Sequence, residues 1–166
     1  MHIRLVLTLS VMLACPGAGL ADWDEGVMAF QMRNYEAAER EFRVLVQQDP
    51  NGYRAHYMLG LTLQEMQRQK DSLHHLRKAY DLSPSYVPVK IALSRAYYSM
   101  EQYGDVINLL AGIELLLMRE ERQSTILQIR GMALDKIGDT NGALRDFQQL
   151  AALQPKDARI LHFYGS

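Results

Sequence analysis

The chain has 166 residues, enough for one domain with a substantial core. A composition of 48% hydrophobic and 22% charged residues is too apolar for a disordered segment. The net charge is −1 and basic clusters are absent, so no counterion-release term favours a phosphate backbone and nucleic acid is not an expected partner.

Residues 1–4 form a short start with a basic residue, Arg4, and residues 5–14 (LVLTLSVMLA) follow as an apolar run too short to span a bilayer. Pro16 and Gly17 break that run, and Gly19, Leu20 and Ala21 place small residues where a signal peptidase reads. The pattern predicts a signal peptide over 1–21, cleaved after Ala21, and export to the periplasm or the medium. The alternative address is the outer membrane: Cys15, the one cysteine, follows Met12-Leu13-Ala14 in an order similar to a bacterial lipobox, which would lipidate it. Membrane association is expected only in that case. With Cys15 in a removed leader, the mature chain has no disulfide to form, and its stability must come from packing.

From Asp22 onward, apolar residues recur three and four apart, the stripe of amphipathic helices. The first predicted helix carries Trp23, Gly26, Ala29 and Phe30 and breaks at Arg33-Asn34. The second starts at Tyr35, carries Ala38, Phe42, Leu45 and Val46, and ends at Asp49-Pro50. Two landmarks of this pair recur. Gly26 stands 24 residues before Pro50, Gly60 stands 24 before Pro84, and Gly131 stands 24 before Pro155. The phase steps by 34 from Gly26 to Gly60 and again to Ser94, then by 37 to Gly131 and by 34 to Gly165. A glycine inside a helix costs roughly 1 kcal/mol against alanine. Its return at one phase predicts a close crossing of two helices, with Phe42 or its counterpart filling the space beyond.

This period and these landmarks resemble the tetratricopeptide repeat, over nearly all the chain after residue 21. The resemblance implies an all-α, right-handed superhelical solenoid of antiparallel helix pairs. Its units are expected at about 22–52, 53–86, 87–123 and 124–157, with a partial fifth at 158–166. The second departs from the family pattern at Ser72 and Leu76. The third departs more, with Ser94, Val106 and Leu110 at the landmark positions and no closing proline. Its three extra residues are expected to lengthen its second helix through residues 115–118.

No constellation points to catalysis, a metal or a cofactor: HExxH, GxSxG, P-loop and CxxC patterns are missing. His74 and His75 are adjacent, so on a helix they diverge by about 100° and cannot chelate one ion together. They are expected to be solvated on an outer helix, while His56 and His162 are expected in packing or groove positions. The chain is therefore read as a non-enzyme.

In the resembling family the first helix of each pair lines the concave face. Projecting from the glycines, the groove residues are Trp23, Val27 and Phe30, then Arg54, Tyr57, Leu61 and Gln64, then Ile91, Arg95 and Tyr98, then Gln128, Met132 and Asp135. Aromatics and arginines dominate interface energetics, and an arginine could clamp a carboxylate bidentately. Some members of the family hold a peptide C-terminus in a lysine- and asparagine-lined clamp, a residue set these helices lack. The expectation is a non-catalytic exported scaffold that binds a peptide or protein segment in its groove, in cell-envelope complex assembly. The alternative is an outer-membrane-anchored lipoprotein or self-associating structural subunit of a pilus, secretion or outer-membrane assembly machine. Its contacts would lie at residues 115–118 and at the apolar C-terminal helix, residues 160–164.

Overall fold

The computed structural model describes residues 22–153. The expected leader with Cys15, the partial fifth unit with His162 and the apolar residues 160–164 lie outside the described residues. Eight α-helices follow one another: α1 (Trp23–Gln31), α2 (Tyr35–Gln48), α3 (Tyr53–Glu65), α4 (Gln69–Leu82), α5 (Val87–Ser99), α6 (Tyr103–Leu110), α7 (Glu120–Lys136) and α8 (Thr140–Leu153). No strand occurs among the described residues. Each helix packs on the one before and the one after, and α5 also touches α3 and α7. The fold is an all-α solenoid of helix pairs, with α3, α5 and α7 side by side along its inner face.

The turn inside each pair is built the same way four times. A residue in the left-handed region ends the first helix: Arg33 (φ 60°), Gln67 (φ 59°), Glu101 (φ 60°) and Gly138 (φ 84°). The next amide then reaches back five residues, Asn34 to Ala29, Arg68 to Leu63, Gln102 to Tyr97 and Asp139 to Leu134, each at 2.9 Å. These bonds satisfy carbonyls that a helix end leaves open. Asn34 and Asp139 then accept from the amides of Ala37 and Gly142, capping α2 and α8.

The helix glycines face the residue sixteen positions later on the partner helix. A Cβ built on Gly26 would lie 2.9 Å from Phe42 Cε1, one on Gly131 2.9 Å from Phe147 Cε1, and one on Gly60 2.6 Å from Leu76 Cγ. Phe42 and Leu76 are fully buried. In the second pair Ser72 fills the small-residue position and donates its hydroxyl to the Gly60 carbonyl at 2.8 Å, so a serine closes the crossing with a bond where the other pairs have only contact.

The core forms three clusters. Ala38, Phe42, Leu59 and Leu63 join α1, α2 and α3. The largest runs from Leu76 through Leu93 and Val106 to Ile126 and Ala133, and Leu127, Ala143, Phe147 and Leu150 join α7 to α8.

The third pair corrects one expectation. Its second helix is not lengthened: α6 stops at Leu110 after eight residues. Ala111 is extended and Gly112 takes the left-handed conformation at φ 68°, which ends the helix. A short 3₁₀ turn, Leu115–Leu117, follows, with Leu116 and Leu117 exposed by 93% and 80%. The extra length goes instead to α7, which begins at Glu120, one turn before Ser124. Arg130 of α7 pins this region: Nε and Nη2 each donate to the Asp146 carboxylate of α8 at 2.7 Å, and Nη1 donates to the Leu110 carbonyl at 3.5 Å. Asp146 is buried and Arg130 half-buried.

A second correction concerns His75. His74 is exposed, but His75 is half-buried and its Nδ1 lies 3.1 Å from Nδ1 of the buried His56. His56 Nε2 lies 3.1 Å from the Pro50 carbonyl, which can only accept. Nε2 therefore carries the hydrogen, Nδ1 of His56 is a lone pair, and His75 Nδ1 donates to it. Burial pushes His75 down to about 4, with His56, His74 and Arg43 acting the same way and Asp71 against them. Burial also lowers His56, helped by Lys78 and His74 and opposed by the Pro50 bond and Asp49. The unfolded chain, with histidines near 6.5, binds more protons than the folded one as pH falls from about 6.5 to about 4. Stability is thus greatest above that window and falls through it on acidification. His75→Gln, which can still donate to His56 but cannot titrate, is expected to flatten the fall in melting temperature between pH 7 and pH 5. Parallel curves for the two proteins would show that the histidine pair does not drive the loss.

Candidate functional site

The inner helices carry their solvent-facing residues on one stripe because positions three, four and seven apart share a helix face. On α3 that stripe presents Tyr57 and Leu61, on α5 Ile91, Arg95 and Tyr98, and on α7 Arg122, Thr125 and Met132, with the buried Ile129 behind them. Two hollows result. One, of about 170 Å³, is lined by Tyr57, Leu61, Pro88, Ile91, Ala92, Arg95, Arg122 and Thr125. The other, of about 270 Å³, is lined by Arg95, Tyr98, Ser99, Thr125, Gln128, Ile129 and Met132. Arg95 and Thr125 border both, so the hollows form one trough crossing α3, α5 and α7.

The trough has an apolar floor and a polar rim. Tyr57, Leu61, Ile91 and Tyr98 are half-buried against the central core cluster. Tyr98 stacks edge-on to Tyr103 at 5.2 Å, and Tyr57 meets Tyr86 at 5.9 Å, which fixes both rings. Arg95 and Arg122 are exposed. Burial raises the Tyr57 hydroxyl above the usual tyrosine range, with Tyr86 adding to the rise and Arg95 and Arg122 opposing it, so both guanidinium groups act on this one hydroxyl.

Seven of the thirteen expected groove residues are brought together here: Tyr57, Leu61, Ile91, Arg95, Tyr98, Gln128 and Met132. Trp23 and Arg54 border a different hollow, with Leu45, Asp49 and Tyr53. Val27 and Phe30 pack against the Phe42 cluster, as Trp23 also does with its ring 5.7 Å from Phe42. Gln64 donates its amide to the Ala92 carbonyl at 3.0 Å and so joins α3 to α5. Asp135 is exposed near the end of α7, outside both hollows.

The sequence reading misses Pro88, Ala92, Ser99, Arg122, Thr125 and Ile129. Arg122 escapes it because α7 starts a turn earlier than the repeat phase places it, whereas Thr125, inside the expected fourth unit, lies one turn before the positions projected from Gly131. Their spacing to Ile129 and Met132 (122, 125, 129, 132) is nonetheless a helical stripe visible in the sequence.

No group of three or more His, Cys, Asp or Glu residues among the described residues could hold a metal. No described helix is long and apolar enough to cross a membrane.

Residues 53–86, the second helix pair, match the family model described as tetratricopeptide repeat. No curated protein sequence matches the chain. Among solved structures the fold is similar to that of MamA protein (17% identity, 86% of this chain and 76% of that one, TM-score 0.75). It is also similar to MamA 41-end from Desulfovibrio magneticus RS-1 (14% identity, 86% and 78%, TM-score 0.76). A third similar structure is Pseudomonas aeruginosa PilF (20% identity, 84% and 62%, TM-score 0.71).

Proposed function

We propose that the chain is a tetratricopeptide-repeat scaffold that holds an extended protein segment in the trough of α3, α5 and α7, a reading supported by the family match of its second helix pair and by the shared fold. The observation that supports this most is the continuity of the trough: two hollows on three successive inner helices share Arg95 and Thr125, with fixed aromatics as a floor. A segment lying across the helices would bury apolar side chains on Tyr57, Leu61 and Tyr98 at low entropic cost, because these rings are already held. No step of covalent chemistry is assigned to the trough. The leader pattern over 1–21 supports export, and assembly of a cell-envelope complex is the role that address favours, with lipidation at Cys15 as the membrane-bound variant.

A second reading, self-association, is favoured by Leu116 and Leu117, whose near-complete exposure is unusual for adjacent leucines. One experiment separates the two. A photo-crosslinking amino acid is placed at Tyr98 or Met132 in the trough, at Leu117 on the 3₁₀ turn, and at Val44 and Leu144, which are exposed on outer helices. Trough positions are expected to crosslink one and the same protein in the cells of origin, with loss of the product in a folded Tyr57→Ala/Arg95→Ala/Tyr98→Ala variant. Equal labelling from Val44 and Leu144 would remove the trough from consideration. A product of twice the chain mass from Leu117 alone would establish the second reading instead.

A further inference from the structure

The charge on the trough is unlike that of the chain. The protein carries a net charge of −1, yet neither hollow is lined by an aspartate or glutamate, and each is bordered by Arg95. Arg122 stands beside it in the first hollow. Some other arginines are engaged, Arg43 and Arg68 with Glu39, Arg130 with Asp146, and Arg77 with the Tyr97 hydroxyl, while Arg33, Arg40, Arg119 and Arg145 are unpaired among the described residues but border neither hollow. Among the described residues Arg95 and Arg122 have no ion-pair or hydrogen-bond partner, although Glu120 and Glu121 are close to Arg122 in sequence. Two unpaired guanidinium groups held on adjacent helices repel each other, and a carboxylate between them would relieve that repulsion while accepting their fork of donors.

The surroundings define the rest of the ligand. The first hollow, about 170 Å³ and walled by Leu61, Pro88 and Ile91, has room for one branched aliphatic side chain. Tyr57 also lines it, and its hydroxyl is a further hydrogen-bond donor available to an acidic group.

The geometry points to an acidic side chain as the anchor of the bound segment: an aspartate or glutamate held between Arg95 and Arg122, next to an aliphatic residue seated over Leu61 and Ile91. This inference rests on the trough reading above and names the chemistry of its partner. The site accepts an acidic residue anywhere along a chain, since no lining residue is placed to require a terminus.

The test uses a library of soluble, randomised nonapeptides selected against the folded chain, with trough occupancy read by protection of a photo-crosslinker at Met132. Selected peptides are expected to share an acidic position beside an aliphatic one. Replacing that acid by its amide is expected to weaken binding to the wild-type chain roughly tenfold or more, and to the Arg95→Gln/Arg122→Gln variant less than about twofold. Both arginines are exposed and unpaired, so the variant should keep the wild-type melting temperature. Peptides that occupy the trough without an acidic preference, or with one that the variant retains, would overturn the inference and leave the trough reading standing. Peptides that bind without protecting Met132, or a selection that yields none, would overturn both.

Discussion

Gly60→Leu is expected to be the most damaging single substitution in the described part of the chain, lowering stability by about 3 kcal/mol or more. Even a Cβ at this position would lie 2.6 Å from Leu76 Cγ and 3.3 Å from the Leu76 backbone nitrogen. Cγ is the branch point of a fully buried side chain, so it cannot swing aside as a chain end could, and relief requires the two helices to separate. The gain in helix propensity on losing a glycine, at most about 1 kcal/mol, does not offset this. Gly131→Leu should behave alike, though more mildly, because its Cβ would meet the edge of the Phe147 ring. Gly104→Leu supplies the control: nothing lies within 4 Å of a Cβ there, and its effect should stay within about 1 kcal/mol. Urea denaturation of the three variants checks the order, and equal midpoints for Gly60→Leu and Gly104→Leu would refute the packing argument.

The second large effect is expected at Arg130. Substituting leucine there would leave the Asp146 carboxylate, 4% exposed, without the two 2.7 Å bonds that hold it, at a cost of about 3–5 kcal/mol. The double variant Arg130→Leu/Asp146→Leu should recover most of that loss, since replacing a whole buried pair with apolar groups is often close to neutral. A double-mutant cycle on denaturation midpoints measures the coupling. Additive effects would mean that the pair does not act as a unit. The Arg130 bond to the Leu110 carbonyl adds a local readout: amide exchange in residues 111–119 should quicken in Arg130→Leu more than elsewhere.

Much of the fold is legible in the sequence because its packing is local. A helix glycine and the side chain it admits lie sixteen residues apart, so the contact leaves a fixed spacing, and the proline that ends the pair adds a second mark. The Arg130–Asp146 pair has that same separation, one position before Gly131 and Phe147, and could have been read as opposite charges in register with the crossing. The short α6 is harder to see. Gly112 signals a stop, but residues 115–118 are apolar at a spacing that a longer helix would also satisfy. That run hides the break, and the misplaced start of α7 hides Arg122 in turn. His75 is not placed from spacing, because its partner His56 lies on the preceding helix outside the glycine register and the bond depends on which nitrogen carries the hydrogen. For the trough, the periodicity identifies the inner stripe on α3, α5 and α7. It does not show that α1 turns the corresponding face into the Phe42 cluster.

The four identical turns have a consequence for how such an array can change over time. Each pair carries its own closing bond, at steps of 34, 34 and 37 residues, and the surplus of the last step is taken up in the early turn of α7, leaving both flanking turns intact. The closing turns are therefore the parts that are kept, and the helices between them are where length is gained or lost. In this chain the early turn of α7 carries Arg122, so the added length at the start of one helix sets a second cation beside Arg95.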